Sequence, residues 1–222
     1  MEMNTLALVF DLDGTLIDSA PDIHAGVNAT MRAADLPELS FGQVRSFIGK
    51  GVPALISQCL AASEIKETPA LFNTLCADFS KRYETAVALT VLYTNVIETL
   101  TILKSQGYAL GLCTNKPEHP THAALAHFGL THFFDGFAFG DGPYNRKPDA
   151  APLLHVQTAL KAGKILYVGD SETDAATAQN AQVPFALFTE GYRKTAIDDL
   201  PHDEAFDDFQ DLPDIAARLL PR

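Results

Sequence analysis

The chain has 222 residues, enough for one α/β domain or a domain carrying an inserted lobe, and with 47% apolar and 20% charged residues its composition is that of a globular protein. A net charge of −12 argues against nucleic acid and anionic membrane surfaces, which call for Lys/Arg-rich faces. The longest nearly unbroken apolar run, residues 86–93, is far short of the ~20 residues a bilayer span requires, and no basic segment opens the chain, so a cytoplasmic protein is expected.

Taken in chain order, the first element is a charge-free apolar run at residues 6–10, too short for a helix and expected as a buried parallel strand. Residues 19–92 show no convincing strand; helical patterns are expected at 22–34, 40–47, 52–62 and 69–87. Asn95 is expected to cap a helix running through Lys104. Further strands are expected at 109–113 and 165–168, with weaker ones at 136–139 and 185–188, and helices at 123–127, 151–160 and 173–181. Gly129 and Gly163 stand where helix-ending left-handed residues are wanted. This alternation describes a doubly wound, Rossmann-like parallel α/β sheet over residues 1–18 and 93–222, interrupted by an all-α cap domain over 19–92. Cys59, Cys76 and Cys113 form no CxxC pair and are expected to be reduced, buried thiols.

In an open parallel sheet ligands bind beyond the carboxyl ends of the strands. The segments found there are Asp11-Leu12-Asp13-Gly14-Thr15, Thr114-Asn115-Lys116 and Gly169-Asp170-Ser171-Glu172-Thr173-Asp174. Asp11 and Asp13 are two residues apart, so extended backbone aims both carboxylates the same way. Crowded carboxylates repel unless a cation or proton intervenes. With Asp170 as a third acid the cluster offers oxygen ligands only, which suit Mg²⁺ better than zinc.

These segments, in order and together with Lys147-Pro148, resemble the four motifs of the haloacid-dehalogenase superfamily of phosphohydrolases. The helical stretch after the first motif resembles that superfamily's small α-helical cap, and Phe47-Ile48-Gly49-Lys50-Gly51 resembles the cap substrate loop of phosphoglycolate phosphatases. The resemblance implies hydrolysis of a small phosphorylated metabolite, 2-phosphoglycolate first among them, through an aspartyl-phosphate. It implies Asp11 as nucleophile and Asp13 as general acid and base. Thr114, Asn115 and Lys147 would bind the phosphoryl group, with Lys147 also offsetting Asp11. Mg²⁺ would be held by Asp11, the Asp13 carbonyl and Asp170, with Asp174 orienting a metal-bound water or Lys147. Gly49, Lys50 and Gly51 would read the rest of the substrate, and Arg45 and His24 are the other notable polar groups of the cap.

Other readings stay open. Asp174 could serve only the start of its helix, and Thr114 only as a capping hydroxyl. Lys147 could be a solvated loop lysine and the Gly49–Gly51 stretch a plain turn; Lys116 reads as structural, and Asp18 and Ser19 as a hinge. His119 and His122 read as a solvated pair rather than a metal site, and Arg146 as a surface neighbour of Lys147. Where many relatives carry a Pro-Gly turn, this chain has Tyr93-Thr94-Asn95. Competing functions on the same scaffold are a β-phosphoglucomutase-like phosphotransferase, disfavoured by Val52-Pro53 after the cap loop, a pyrophosphatase or a sugar or nucleotide phosphatase. A dehalogenase would need neither Asp13 nor Asp170, and a non-catalytic metabolite-binding protein would be expected to have lost one of the motif residues. Monomer and homodimer are equally compatible with the sequence. Eight of the acids fall between Thr195 and Ala217, where there is no Lys or Arg; this tract is expected to be a solvated face.

Overall fold

The structure, a computed structural model, describes residues 5–221. The run Ala7-Leu8-Val9-Phe10 is fully buried and forms most of strand β1 (Thr5–Phe10). Alternate residues point to opposite faces of a strand, so Leu8 and Phe10 join one apolar cluster and Ala7 and Val9 another. Both faces of β1 are therefore covered.

After β1 the chain makes a short strand β2 (Ile17–Asp18) and then four helices, α1 (Ala20–Ala33), α2 (Phe41–Phe47), α3 (Val52–Ala62) and α4 (Pro69–Tyr83). It returns through β3 (Val91–Leu92), which pairs antiparallel with β2, to α5 (Val96–Ser105) and β4 (Ala109–Cys113). Next come α6 (Glu118–His127), β5 (Gly136–Ala138), α7 (Ala151–Ala159), β6 (Ala162–Gly169), α8 (Glu172–Ala181), β7 (Phe185–Phe188), β8 (Glu204–Phe206) and α9 (Leu212–Leu219). The main sheet is six-stranded and parallel throughout, in the order β5-β4-β1-β6-β7-β8. Helices α5, α6 and α9 cover the Phe10 face, while α7 and α8 cover the Val9 face. The chain leaves β1 in both directions, to β4 on one side and β6 on the other, and a crevice opens at such a reversal.

The inserted helices bury a core of their own, built from Ile23, Val27 and Met31 of α1, Val44 of α2, Ile56 and Leu60 of α3, and Leu75 and Phe79 of α4. Ser40 starts α2 with a reciprocal capping box to Gln43, and Thr68 followed by Pro69 starts α4. The expected doubly wound α/β core with a helical insertion holds.

Several local expectations are corrected. Helix α6 begins at Glu118 rather than 123, because Pro120 sits in the first turn, where no intrahelical N–H is needed. Helix α4 ends at Tyr83, four residues early. Gly163 lies inside β6, and Lys161 instead takes the left-handed position after α7 (φ 52°). Asn95 immediately precedes α5 but does not cap it; in a left-handed conformation, its side-chain amide donates to Asp208. The acidic tract leaves its carboxylates exposed or half-buried as expected, yet it also forms β8 and starts α9, sinking Phe206, Phe209, Leu212 and Ile215 into the core. Among the described residues no helix is long and apolar enough to cross a membrane.

Candidate active site

Asp11 is the first residue beyond β1, and its backbone N–H still bonds Val168 of β6 (2.9 Å), so its position is set by the sheet. The chain then turns at Gly14, in a left-handed conformation (φ 90°) that glycine adopts without strain. The turn has no room for a side chain: a Cβ on Gly14 would lie 2.5 Å from Asp170 Oδ2. It also brings the Thr15 hydroxyl to donate to Asp170 Oδ1 at 2.9 Å.

Carboxylate oxygens of Asp11, Asp170 and Asp174, all buried, converge within 4.8 Å of one another. The Lys147 ammonium is wedged among them, 2.8 Å from Asp11 Oδ1 and 2.7 Å from Asp174 Oδ1, and it donates to the Tyr167 hydroxyl at 2.9 Å. Three acids against one base leave an excess of negative charge out of water. Burial accordingly pushes the Asp11 carboxyl up to about 6, against the pull of Lys147, and burial with the charges of Asp174 and Asp11 pushes Asp170 well above the carboxylate range. For Asp174 burial acts the same way but is outweighed by Lys147 and hydrogen bonds, and its carboxyl is lowered. Asp11 and Asp174 outweigh the burial of Lys147 and hold its ammonium charged.

A divalent cation fits this cluster. Asp11 Oδ1 is buried and, although ion-paired to Lys147, receives no well-directed hydrogen bond. The donor set is hard oxygen, as Mg²⁺ prefers. The three acids are not equivalent. Asp174 accepts from Lys147 and Tyr167 on one oxygen and from Ser171 N–H, Ser171 Oγ and Asp170 N–H on the other, which makes it a clamp on Lys147 and a helix cap at once. Asp170 keeps lone pairs beyond the single donor on each oxygen.

Asp13 points into the same crevice. Its Oδ1 accepts from Ser19 Oγ (2.6 Å) and from Lys116 (2.9 Å), whose ammonium also donates to the Tyr83 hydroxyl at the end of α4. Thr114, at the end of β4, is buried, and its Oγ accepts from Lys116 N–H. Asn115 uses its side chain as a clasp: the amide donates to Gly49 O of the inserted lobe and to Lys147 O, and its carbonyl accepts from Lys147 N–H. A small cavity lies between Asp11, Asp13, Thr114, Asn115 and Lys116 below and Ile23, Phe47, Ile48, Leu55, Phe79 and Tyr83 above.

Of the residues expected from sequence, the structure thus gathers Asp11, Asp13, Thr114, Asn115, Lys147, Asp170 and Asp174, while Gly49 and Gly51 line the cavity. Lys50 is exposed and outside the lining; both flanking glycines are left-handed, and the loop reaches the site through its main chain. His24 stays within the lobe, against Leu39 O and Asn28, and Arg45 reaches Gly191 O at 2.6 Å, away from the cavity. His119 and His122 lie on a separate surface hollow with Glu118 and Asp141. Lys116, read as structural, is buried and sits in the cavity wall. Tyr83, Tyr167 and Tyr192 were not singled out by the sequence. Their hydroxyls are joined to acids or lysines contributed by distant segments, a signal that only chain folding supplies.

Residues 8–188 match the model of the haloacid dehalogenase-like hydrolase family. The chain belongs to that family. Over 211 residues it is 48% identical to the phosphoglycolate phosphatase of Rhodobacter capsulatus, covering 94% of this chain and 95% of that protein. Over 214 residues it is 44% identical to the phosphoglycolate phosphatase of a Cereibacter sphaeroides strain, covering 96% and 98%. Among solved structures, a predicted phosphoglycolate phosphatase from Haemophilus somnus superimposes with a TM-score of 0.89 at 32% identity, covering 97% of this chain and 99% of that one.

Proposed function

We propose that the chain is a Mg²⁺-dependent phosphomonoester hydrolase whose leading substrate is 2-phosphoglycolate. The observation that carries this reading is the convergence of Asp11, Asp13, Lys147 and Asp170 at the carboxyl ends of β1 and β6, beneath a helical lobe that encloses a small cavity. The names of the relatives at 48% and 44% identity support the substrate.

In this reading a carboxylate oxygen of Asp11 attacks phosphorus in line, the bond to the alkoxide breaks, and an aspartyl-phosphate forms. Asp13 gives its proton to the departing oxygen and then takes one from the water that hydrolyses the intermediate. Lys116 and Ser19 both hold Oδ1 of Asp13, so Oδ2 is the oxygen left for proton transfer. The Thr114 hydroxyl and the Asn115 N–H donate to phosphoryl oxygens, and Lys147, fixed by Asp174 and Tyr167, neutralises charge on Asp11 and the phosphoryl group. Carboxylates of Asp11 and Asp170 with the Asp13 carbonyl would hold Mg²⁺, which would offset the repulsion between the Asp11 carboxylate and the phosphate dianion it attacks. Residues 19–92 act as a cap that excludes water and reads the substrate. Within the cavity wall the cation available to a second anionic group is Lys116, rather than Lys50.

Phosphate release from 2-phosphoglycolate, compared with pyrophosphate, sugar phosphates and nucleoside monophosphates, tests the proposal. Turnover that survives EDTA, or that prefers another substrate class by a wide margin, overturns the corresponding part.

A further inference from the structure

The loop after β7 touches both the acidic cluster and the route into the helical lobe. Gly191 is packed so closely that a Cβ there would lie 2.3 Å from Asp170 Oδ2 and 2.4 Å from Gly14 O. The next residue, Tyr192, donates its backbone N–H to Asp170 Oδ2 at 2.6 Å. Its side chain runs the other way. The phenol oxygen accepts from Ser19 N–H (2.8 Å) and Ala20 N–H (3.0 Å) and donates to Asp18 Oδ1 (2.8 Å), which together form the end of β2 and the start of α1. Arg45 of α2 closes over the loop, bonding Gly191 O at 2.6 Å with its guanidinium 5.0 Å from the ring centroid. Tyr192 is 6% exposed.

A rigid aromatic side chain thus joins the hinge to a backbone N–H that fixes the rotation of a cluster carboxylate. We propose that Tyr192 is a positioning residue coupling the seating of the helical lobe to the cation affinity of the Asp11–Asp170 cluster. This rests on the reading of Asp170 as a cation ligand. A displaced hinge pulls on the ring, the ring moves the N–H, and Asp170 loses the orientation in which it accepts the cation. Partners one step beyond the ligands ordinarily change metal affinity ten- to hundredfold. Linkage makes the effect reciprocal, so the cation must also steady the hinge.

Mg²⁺ titration of the metal-free full-length protein by calorimetry tests this with Tyr192→Phe, which keeps the ring and the backbone N–H and removes only the hydroxyl, and with Arg45→Gln. Each is expected to weaken Mg²⁺ binding about 3–10-fold with the near-ultraviolet dichroism of the fold retained. In the wild-type protein Mg²⁺ is expected to slow amide exchange at Ser19 and Ala20. Wild-type affinity in a folded variant, or no slowing at those amides in the wild-type protein, overturns the coupling alone. If Tyr192→Phe does not fold, Arg45→Gln and the wild-type exchange decide. Failure of the wild-type protein to bind Mg²⁺ overturns the coupling together with the cation reading it depends on.

Discussion

The floor and the roof of the cavity are built on opposite plans. The floor, from β1, β4 and β6, is a buried lattice in which Asp174 alone accepts from five donor groups, and Lys147, Asp170 and Asn115 are each tied to at least two other segments. The roof, from α1 to α4, is mainly apolar, and it sends the Tyr83 side chain down onto Lys116, beside Asp13. Groups that must hold charge in place need many bonds to rigid elements, whereas a surface that must part from the floor to admit substrate cannot carry many. In the proposed reading chemistry resides in the floor, and selection in the roof together with Lys116, which faces it.

That division can be broken from the floor first. Asp11→Asn is expected to lower kcat by about 10³-fold or more while leaving the fold intact, measured as phosphate release beside a thermal melt. Lys147→Met leaves Asp11 and Asp174 buried without their partner and is expected to cost about 3–5 kcal/mol in metal-free denaturant unfolding near neutral pH. That loss should shrink near pH 5, where the stranded carboxylates accept protons.

A subtler effect comes from Asp11 itself. Its carboxyl is raised from 3.8 to about 6, so between those values the folded chain binds more protons than the unfolded one, and metal-free stability from this group falls as pH rises through the window. Asp174 is lowered instead, so its contribution is present above the ordinary carboxylate range and fades only at lower pH. In the proposed reading a bound cation would take the place of the proton on Asp11. The rise in melting temperature produced by Mg²⁺ is therefore expected to grow from pH 5 to 7.5; a rise independent of pH would count against Asp11 as a ligand. The smallest effects belong to two lysines, Lys116 of the floor and Lys50 of the roof. Lys116→Met is expected to raise KM for 2-phosphoglycolate about tenfold and to lower kcat as well, through Asp13, whereas Lys50→Ala should change either by less than about twofold. The reverse ranking would restore Lys50 as the substrate contact.

The sheet was legible because buried parallel strands leave short charge-free runs, as at Leu6–Phe10 and Ala109–Cys113, and because the acids follow directly on their ends. Asp11, Asp13 and Asp170 could be picked out by that adjacency alone. Less legible were β8 and α9, whose apolar residues are diluted by the eight acids of the tract, and α6, whose start is hidden by Pro120. Lys116 and Lys50 show the limit most plainly. Both are lysines in turns, and only the left-handed backbone at Gly49 and Gly51 and the arrival of Tyr83 decide that one faces the cavity and the other faces water.

The acidic tract has one more consequence, set by where it lies in the sheet. Strand β8 is an outer strand, and its free side presents unpaired main-chain groups that another extended chain could extend. Asp203, Glu204, Asp207 and Asp208 line or flank this three-residue strand, so two molecules approaching edge to edge would meet like charges before they could share hydrogen bonds. The concentration of acids around β8 therefore disfavours pairing of two copies through this edge.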